Sequence, residues 1–114
     1  MKKFMVIYHA PTDFMEQSME TSKEEMQKGM EQWMKWAEKC GDKLVDMGSP
    51  LMGGVKLSPG GASTNSEKGV CGFSVLQADN IDEAKALLVD HPHLAWNGDC
   101  EIEVHETMPT PGSV

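Results

Sequence analysis

Histidine is the side chain in this sequence best suited to proton transfer, because its pKa lies near neutral pH. Two of the four histidines, His91 and His93, follow Asp90 and flank Pro92. Residues two apart in an extended or kinked segment can point to the same side, so the imidazoles can converge, with Asp90 orienting one of them. The alternative is that His91 and Pro92 end a helix and the imidazoles bond to backbone carbonyls. We interpret Asp90, His91 and His93 as candidate catalytic residues.

Five further side chains are candidates for binding a substrate: His9, Trp33, Met34, Trp36 and Asp46. His9 ends a predicted strand, where it either borders a cleft or caps the strand at the surface. Trp33 fits the core stripe of a predicted helix, whereas Trp36 lies at its border and walls a pocket or an interface; packing alone is the alternative for both. Met34 lies off the stripe, at the expected mouth of the cleft. Asp46 is either a turn residue that bonds local amides or a general base that faces the histidine segment.

The sequence contains no motif for a metal or a cofactor. The three cysteines lie far apart: Cys40, Cys71 and Cys100. Without a C-x-x-C pair they are expected as reduced thiols in the cytosol. A metal site from His91, His93 and a carboxylate lacks the usual zinc spacings. The glycine-rich stretch at 58–61 precedes no helix, which disfavours nucleotide binding. We therefore expect no metal and no cofactor.

Length and charge narrow the class of protein. The 114 residues suit one domain, expected over 1–108 with a flexible tail over 109–114. All 10 basic residues are lysines against 18 acidic ones, for a net charge of -8. This balance argues against binding to nucleic acid or to an anionic membrane. The apolar run after Lys3 is too short for a signal peptide and no stretch suits a membrane span, so a cytoplasmic location is expected.

Hydrophobic spacing predicts the elements that must position these residues. A strand over 3–9 has apolar residues on both faces. The first helix is expected to open at Thr21–Ser22 and to end at Gly41. Its predicted buried stripe recurs at intervals of three and four: Met26, Met30, Trp33, Ala37 and Cys40. The pair Leu44–Val45 suits either another helical turn or an extended segment.

The second half of the chain repeats the pattern. A weak strand is expected over 51–57, followed by an exposed, mobile loop over 58–68. A third strand is predicted over 70–78, and Asn80 caps a second helix that ends at His91–Pro92. The last strand, over 100–106, alternates between apolar and polar residues.

This order of elements, β-α-β-β-α-β, predicts an α+β, ferredoxin-like fold with a four-stranded antiparallel sheet. The first and third strands are expected in the centre, with both helices on one face of the sheet. The other face then carries large apolar side chains, and an exposed apolar face of that size is rare on a monomer. We therefore predict a homodimer formed by sheet-to-sheet packing.

Segments along nearly the whole chain, about 3–112, resemble a bacterial branch of the YCII-related proteins in the dimeric α/β-barrel superfamily. They lie at 29–36, 45–51, 72–79, 90–94 and 102–106. The resemblance implies the ferredoxin-like dimer, with a cleft in each subunit beside the sheet. Better-understood relatives resemble lyases that act on small ring compounds through a histidine early in the first helix and a carboxylate.

This sequence departs from that pattern. The matching part of the helix, 24–27, has no histidine, and His91–Pro92 stands where relatives have an Asp-Pro pair. The loop at 63–67 lacks the Asp-Gly-Pro-Phe signature of another branch. The family's dyad therefore does not transfer to these residues. We expect a YCII-related protein of unknown specific function, a cofactor-independent enzyme with lyase-like proton transfer on a small cyclic metabolite. The alternatives are a small-molecule binding or sensing module and a non-catalytic dimeric scaffold.

Overall fold

The computed structural model describes residues 1–11, 23–96 and 98–108, with the side chain of residue 96 excluded. Over this part the elements run β1 (Lys2–His9), α1 (Lys23–Cys40), a 3₁₀ turn (Gly41–Lys43), β2 (Leu44–Pro50), β3 (Val55–Leu57), β4 (Ser63–Asn65), β5 (Val70–Ala78), α2 (Ile81–Leu87), α3 (Pro92–Trp96) and β6 (Glu101–Glu106). The predicted opening of the first helix at Thr21–Ser22 and the tail over 109–114 lie outside the described residues.

Four strands form one antiparallel sheet in the order β2-β5-β1-β6. The central strands are β1 and β5, as the two-sided apolar pattern predicted. Along β6, Ile102 and Val104 pack against the core while Glu103 and His105 are exposed, which matches the predicted alternation. The fold is α+β and is compatible with the ferredoxin-like class.

The predicted second strand over 51–57 was wrong. The sheet strand is β2, so Leu44–Val45 is extended, and β3 leaves the sheet to pair with β4 in a separate hairpin. Strand β2 was hard to predict because Gly48 and Pro50 resemble turn residues. The predicted loop over 58–68 contains β4, and most of its residues are exposed as expected.

Helix α1 covers the sheet only through its last turns. The predicted stripe was wrong at Met26 and Met30, which are 64% and 57% exposed. Trp36 and Cys40 are buried instead, whereas Trp33 is half-buried. The first turns of α1 extend past the described core. The apolar residues that recur at helical spacing in those turns are therefore exposed.

The segment after α2 positions the histidines. Asn80 caps α2 as predicted, because its side chain accepts a hydrogen bond from the Glu83 amide at 2.9 Å. The helix ends at Leu87, and Asp90 adopts a left-handed conformation with φ 61°. Pro92 then opens α3, a short helix that the sequence did not predict, at the position where proline is favoured.

The sheet face away from the helices carries half-buried apolar residues on its central strands: Met5, Ile7, Phe73 and Val75. They alternate with the fully buried residues of the helix-covered face, as the period of a strand requires. We call this set the open face. No helix of the described residues is long and apolar enough to cross a membrane.

Candidate functional site

A fully buried imidazole stands at the centre of an aromatic cluster. The ring of His91 lies 5.0 Å from Tyr8, 4.5 Å from Trp33 and 4.4 Å from Trp36 between centroids. These side chains come from three elements: the end of β1, the second half of α1 and the turn before α3. The cluster therefore joins the sheet to both helical segments.

The hydrogen bonds of the cluster form a series in which each group donates to the next. His91 Nδ1 accepts a bond from the His93 amide at 3.0 Å, so the ring proton lies on Nε2, which donates to the Tyr8 hydroxyl at 3.2 Å. Tyr8 donates to Ser74 Oγ at 2.7 Å, and Ser74 donates to the Met47 carbonyl at 2.8 Å. The chain ends on a backbone carbonyl, and each polar side chain in it is satisfied.

Burial keeps the side chains of His91 and Tyr8 uncharged. Desolvation, with a smaller contribution from His93, lowers the pKa of His91 to about 3. Desolvation also raises the pKa of Tyr8 far above its ordinary value. Neither side chain therefore exchanges a proton near neutral pH while the cluster stays closed.

His93 is buried beside the cluster and holds the end of β1. Its Nε2 donates to the His9 carbonyl at 2.8 Å. Desolvation lowers the pKa of His93, and hydrogen bonds to the backbone of His9 and Glu101 oppose that effect. The imidazole thereby ties α3 to β1 and β6.

The structure brings His91 and His93 together, since their rings lie 5.0 Å and 5.2 Å from the Tyr8 ring. It does not bring Asp90 to His91: Asp90 is exposed, and both ring nitrogens of His91 have other partners. His93 bonds to a backbone carbonyl, as the structural alternative for this segment describes.

The predicted substrate-binding residues are spread over several places. Trp36 belongs to the core, and its Nε1 donates to the Leu87 carbonyl at 2.8 Å. Its outer edge borders a groove of about 280 Å³ whose lining includes Lys35, Lys39, Asp90 and Pro92. We call this the tryptophan groove.

Two other candidates lie away from the aromatic cluster. Met34 is 49% exposed on α1. Asp46 accepts a hydrogen bond from the Gly48 amide at 2.8 Å, which is the local turn role foreseen as one alternative.

His9 borders a second cavity, of about 340 Å³, at the end of β1. The cavity is lined by His9, Ala10, Pro11, Glu67, Lys68, Gly69, Asp99 and Glu101. We call it the His9 cavity. His9 is the candidate whose position beside a cavity agrees with the strand-end prediction.

The two ring nitrogens of His9 have different surroundings. Nδ1 donates to the Lys68 carbonyl at 2.8 Å. Nε2 is buried and lies 2.7 Å from Oε2 of Glu103, which is the distance of an ion pair. A contact this short with an ionised carboxylate requires a proton on Nε2.

Glu103 stands between two imidazoles. Its Oε1 accepts an aligned hydrogen bond from His105 Nε2 at 2.9 Å, while Oε2 faces His9. The bond from His105 is the largest cause that lowers the pKa of Glu103, and His9 adds to it. The carboxylate is therefore ionised near neutral pH, and an imidazole–carboxylate pair stands beside the His9 cavity. Such a pair is able to accept and return a proton.

Sequence reasoning missed Glu103 as a partner of His9. The alternation along β6 did place Glu103 and His105 on one side of the last strand, but the pairing of β6 with β1 was needed to bring them to His9. The described residues contain no group of three histidine, cysteine or acidic side chains arranged to hold a metal ion.

Comparison with family models and with curated proteins gives no match. No protein-family model matches it, and no curated protein matches it either. The resemblance to the YCII-related proteins therefore stays a prediction.

Proposed function

We propose that this protein is a YCII-related, cofactor-independent enzyme that transfers a proton on a small cyclic metabolite, with His9 as the acid–base residue. The observation that carries the proposal is the buried Nε2 of His9, which lies 2.7 Å from a carboxylate and belongs to a residue that lines a cavity. Imidazole–carboxylate pairs are typical of acid–base sites.

The proposed step begins when Nε2 loses its proton to solvent and Glu103 turns toward His105, its aligned partner, which uncovers Nε2. That nitrogen then accepts a proton from a C–H bond next to a carbonyl of the substrate, which leaves an enolate and an imidazolium. The Glu103 carboxylate turns back and stabilises the imidazolium, and Nε2 returns the proton to the product. Glu103 itself is a weak base because its pKa is lowered, so we assign it the electrostatic role.

The charge of the His9 cavity favours a neutral or cationic substrate. Its lining includes three acidic side chains, Glu67, Asp99 and Glu101, against one lysine, Lys68. An acidic lining repels anions and concentrates cations. The volume of about 340 Å³ lies at the lower end of the range for small-molecule sites.

The alternative of a binding module is favoured by the tryptophan groove. Lys35 and Lys39 line it together with one acidic residue, Asp90, and with Val89 and Pro92. Because the two lysines outnumber the single carboxylate, this lining suits a small anion with an apolar body. The predicted catalytic role of His91, His93 and Asp90 remains a prediction, although full burial of His91 favours a structural role.

We further propose that two copies pack through the open face. This proposal is supported by the apolar side chains of β1 and β5 that no described helix covers. His9 and Glu103 alternate with buried residues of β1 and β6 and therefore lie on the same side of the sheet. A second copy would shelter the imidazole–carboxylate pair from water.

Hydrogen exchange tests the proton-transfer function without knowledge of the product. The protein is incubated in D₂O with a panel of small cyclic ketones, lactones and amino ketones, and loss of C–H signals is followed by proton NMR. We expect catalysed exchange for at least one compound and a loss of about 10²–10⁴-fold in His9→Gln. Lys39→Gln, in the tryptophan groove, is the control and should exchange at the wild-type rate. Full exchange activity in His9→Gln would contradict the proposal.

A further inference from the structure

We propose that the Lys68 carbonyl, held in place by Gly69, is a positioning group that keeps a proton on Nδ1 of His9 and leaves Nε2 as the nitrogen that reacts. The role of Nε2 in a reaction rests on the proposed function. The position of the ring proton does not, because it is measurable without any substrate.

The hydrogen bond to Lys68 decides which nitrogen keeps its proton when the ring becomes neutral. A carbonyl oxygen only accepts, so the 2.8 Å contact requires a proton on Nδ1. Nε2 also carries a proton while it lies 2.7 Å from the Glu103 carboxylate, and the ring is then charged. When Glu103 turns away and the ring loses a proton, the Lys68 carbonyl retains the proton on Nδ1, and Nε2 holds the free electron pair. The same arrangement, with Nδ1 bonded to a backbone carbonyl, fixes reactive and metal-binding imidazoles in many proteins.

Gly69 allows the loop to approach His9 closely enough for that bond. Its φ of +70° lies in the left-handed region, and its carbonyl accepts a bond from the Ala10 amide at 2.9 Å. A Cβ atom at this position would lie 2.3 Å from the Ala10 carbonyl oxygen. Glycine is therefore required both by the conformation and by the contact.

A β-bulge beside the loop sets the direction of His9. Tyr8 pairs with Gly72 and His9 pairs with Val70, so Cys71 is an extra residue on β5. Bulges bend a strand and redirect a side chain, and they occur often next to active sites. The bulge and the hydrogen bond to Lys68 both act on His9, which agrees with a built position for the imidazole.

The experiment is a long-range ¹H–¹⁵N NMR spectrum of the imidazoles recorded at alkaline pH. In the wild type we expect the Nδ1–H tautomer for His9. In Gly69→Ala the bond to Lys68 is broken by the added Cβ, and we expect a shift toward the Nε2–H tautomer. Gly60→Ala is the matched control, since its φ is also positive, at +93°, and its Cβ would meet nothing within 4 Å.

The outcomes separate this inference from the proposed function. An Nε2–H tautomer in the wild type, or an unchanged Nδ1–H tautomer in folded Gly69→Ala, would overturn the positioning role. If Gly69→Ala does not fold, the tautomer of His9 in the wild-type spectrum decides on its own whether the positioning role is correct. Absence of C–H exchange in a wild type that shows the Nδ1–H tautomer would contradict the proposed function and leave the positioning role standing. In the active protein, Gly69→Ala should lower the exchange rate at least tenfold and Gly60→Ala should not.

Discussion

His9 and His91 have the same side chain, and their surroundings give them opposite chemistry. His91 is fully buried, with a partner for each ring nitrogen, and its pKa is lowered to about 3. His9 lines a cavity, and its Nε2 pairs with the carboxylate of an exposed residue. A base must be able to exchange its proton with a substrate, so His9 is the better candidate.

The hydroxyl of Tyr8 should contribute measurably to stability. Tyr8→Phe removes the partner of His91 Nε2 and of Ser74 Oγ inside the core. We expect the free energy of unfolding to fall by about 1–3 kcal/mol, the cost of buried polar groups left without a partner. Urea unfolding followed by tryptophan fluorescence measures it. His105→Gln, which removes an exposed hydrogen bond, should change the value by less than about 0.5 kcal/mol.

The buried His91 should make the fold sensitive to acid. Its pKa is about 3 in the folded state against 6.5 for the free side chain, so the unfolded chain binds an extra proton between these values. The contribution to stability is complete above pH 6.5 and falls with pH below it, by up to about 1.4 kcal/mol per pH unit.

Unfolding free energies measured from pH 7.5 to 4.5 test this expectation. The decline below pH 6.5 should be shallower in His91→Gln than in the wild type. Parallel curves for the two proteins would show that His91 is not held neutral in the folded state.

At the residue scale the sequence predicted part of the site. The convergence of His91 and His93 followed from their spacing, and the position of His9 followed from the end of a strand. The contact between His9 and Glu103 could not be predicted from the sequence, because it depends on the pairing of β1 with β6 and on the register of that pairing. The burial of Trp36 rather than Met30 depends on where α1 crosses the sheet, and helical periodicity does not contain that information.

At the scale of elements, β2 is shaped by one glycine. Gly48 has a φ of +80°, and a Cβ there would lie 1.7 Å from the Phe73 carbonyl oxygen of β5. The close approach explains why β2 pairs with β5 through register shifts. The second strand was predicted wrongly for the same reason. Gly48 is needed for the close approach of β2 to β5, but in the sequence a glycine at this position resembles a turn residue.

Gly48→Ala should therefore be far more damaging than an ordinary glycine substitution. We expect a loss of more than about 2 kcal/mol, because both the conformation and the contact with β5 are violated. Gly53→Ala is the control: its φ of +66° is similar, but its Cβ would meet nothing within 4 Å. Chemical denaturation of both variants gives the comparison, and equal losses would contradict the role assigned to the contact with β5.

At the scale of the whole molecule, the described helices cover one face of the sheet and leave the other, the open face, without a helix. The sequence predicted the α+β class, the central position of the first and third strands and the apolar character of both faces of β1. We expect a second copy to cover the open face, because large apolar faces are rarely left exposed on a monomer.

Light scattering after size exclusion tests the dimer. The wild type should elute as a dimer at micromolar concentration, whereas Phe73→Glu places a charge on the open face and should yield a monomer. Met30→Glu, on the exposed part of α1, should remain dimeric. A wild type that is monomeric under these conditions would contradict the proposed assembly.

The proposed base is His9 rather than His91 or His93, and ligand binding distinguishes between them. An NMR titration of the four histidine rings against a panel of small cyclic metabolites makes the comparison. We expect a bound compound to shift the ring signals of His9 and to leave those of His91 almost unchanged. Shifts confined to His91 and His93, with no change at His9 for any compound, would contradict the proposed role of His9.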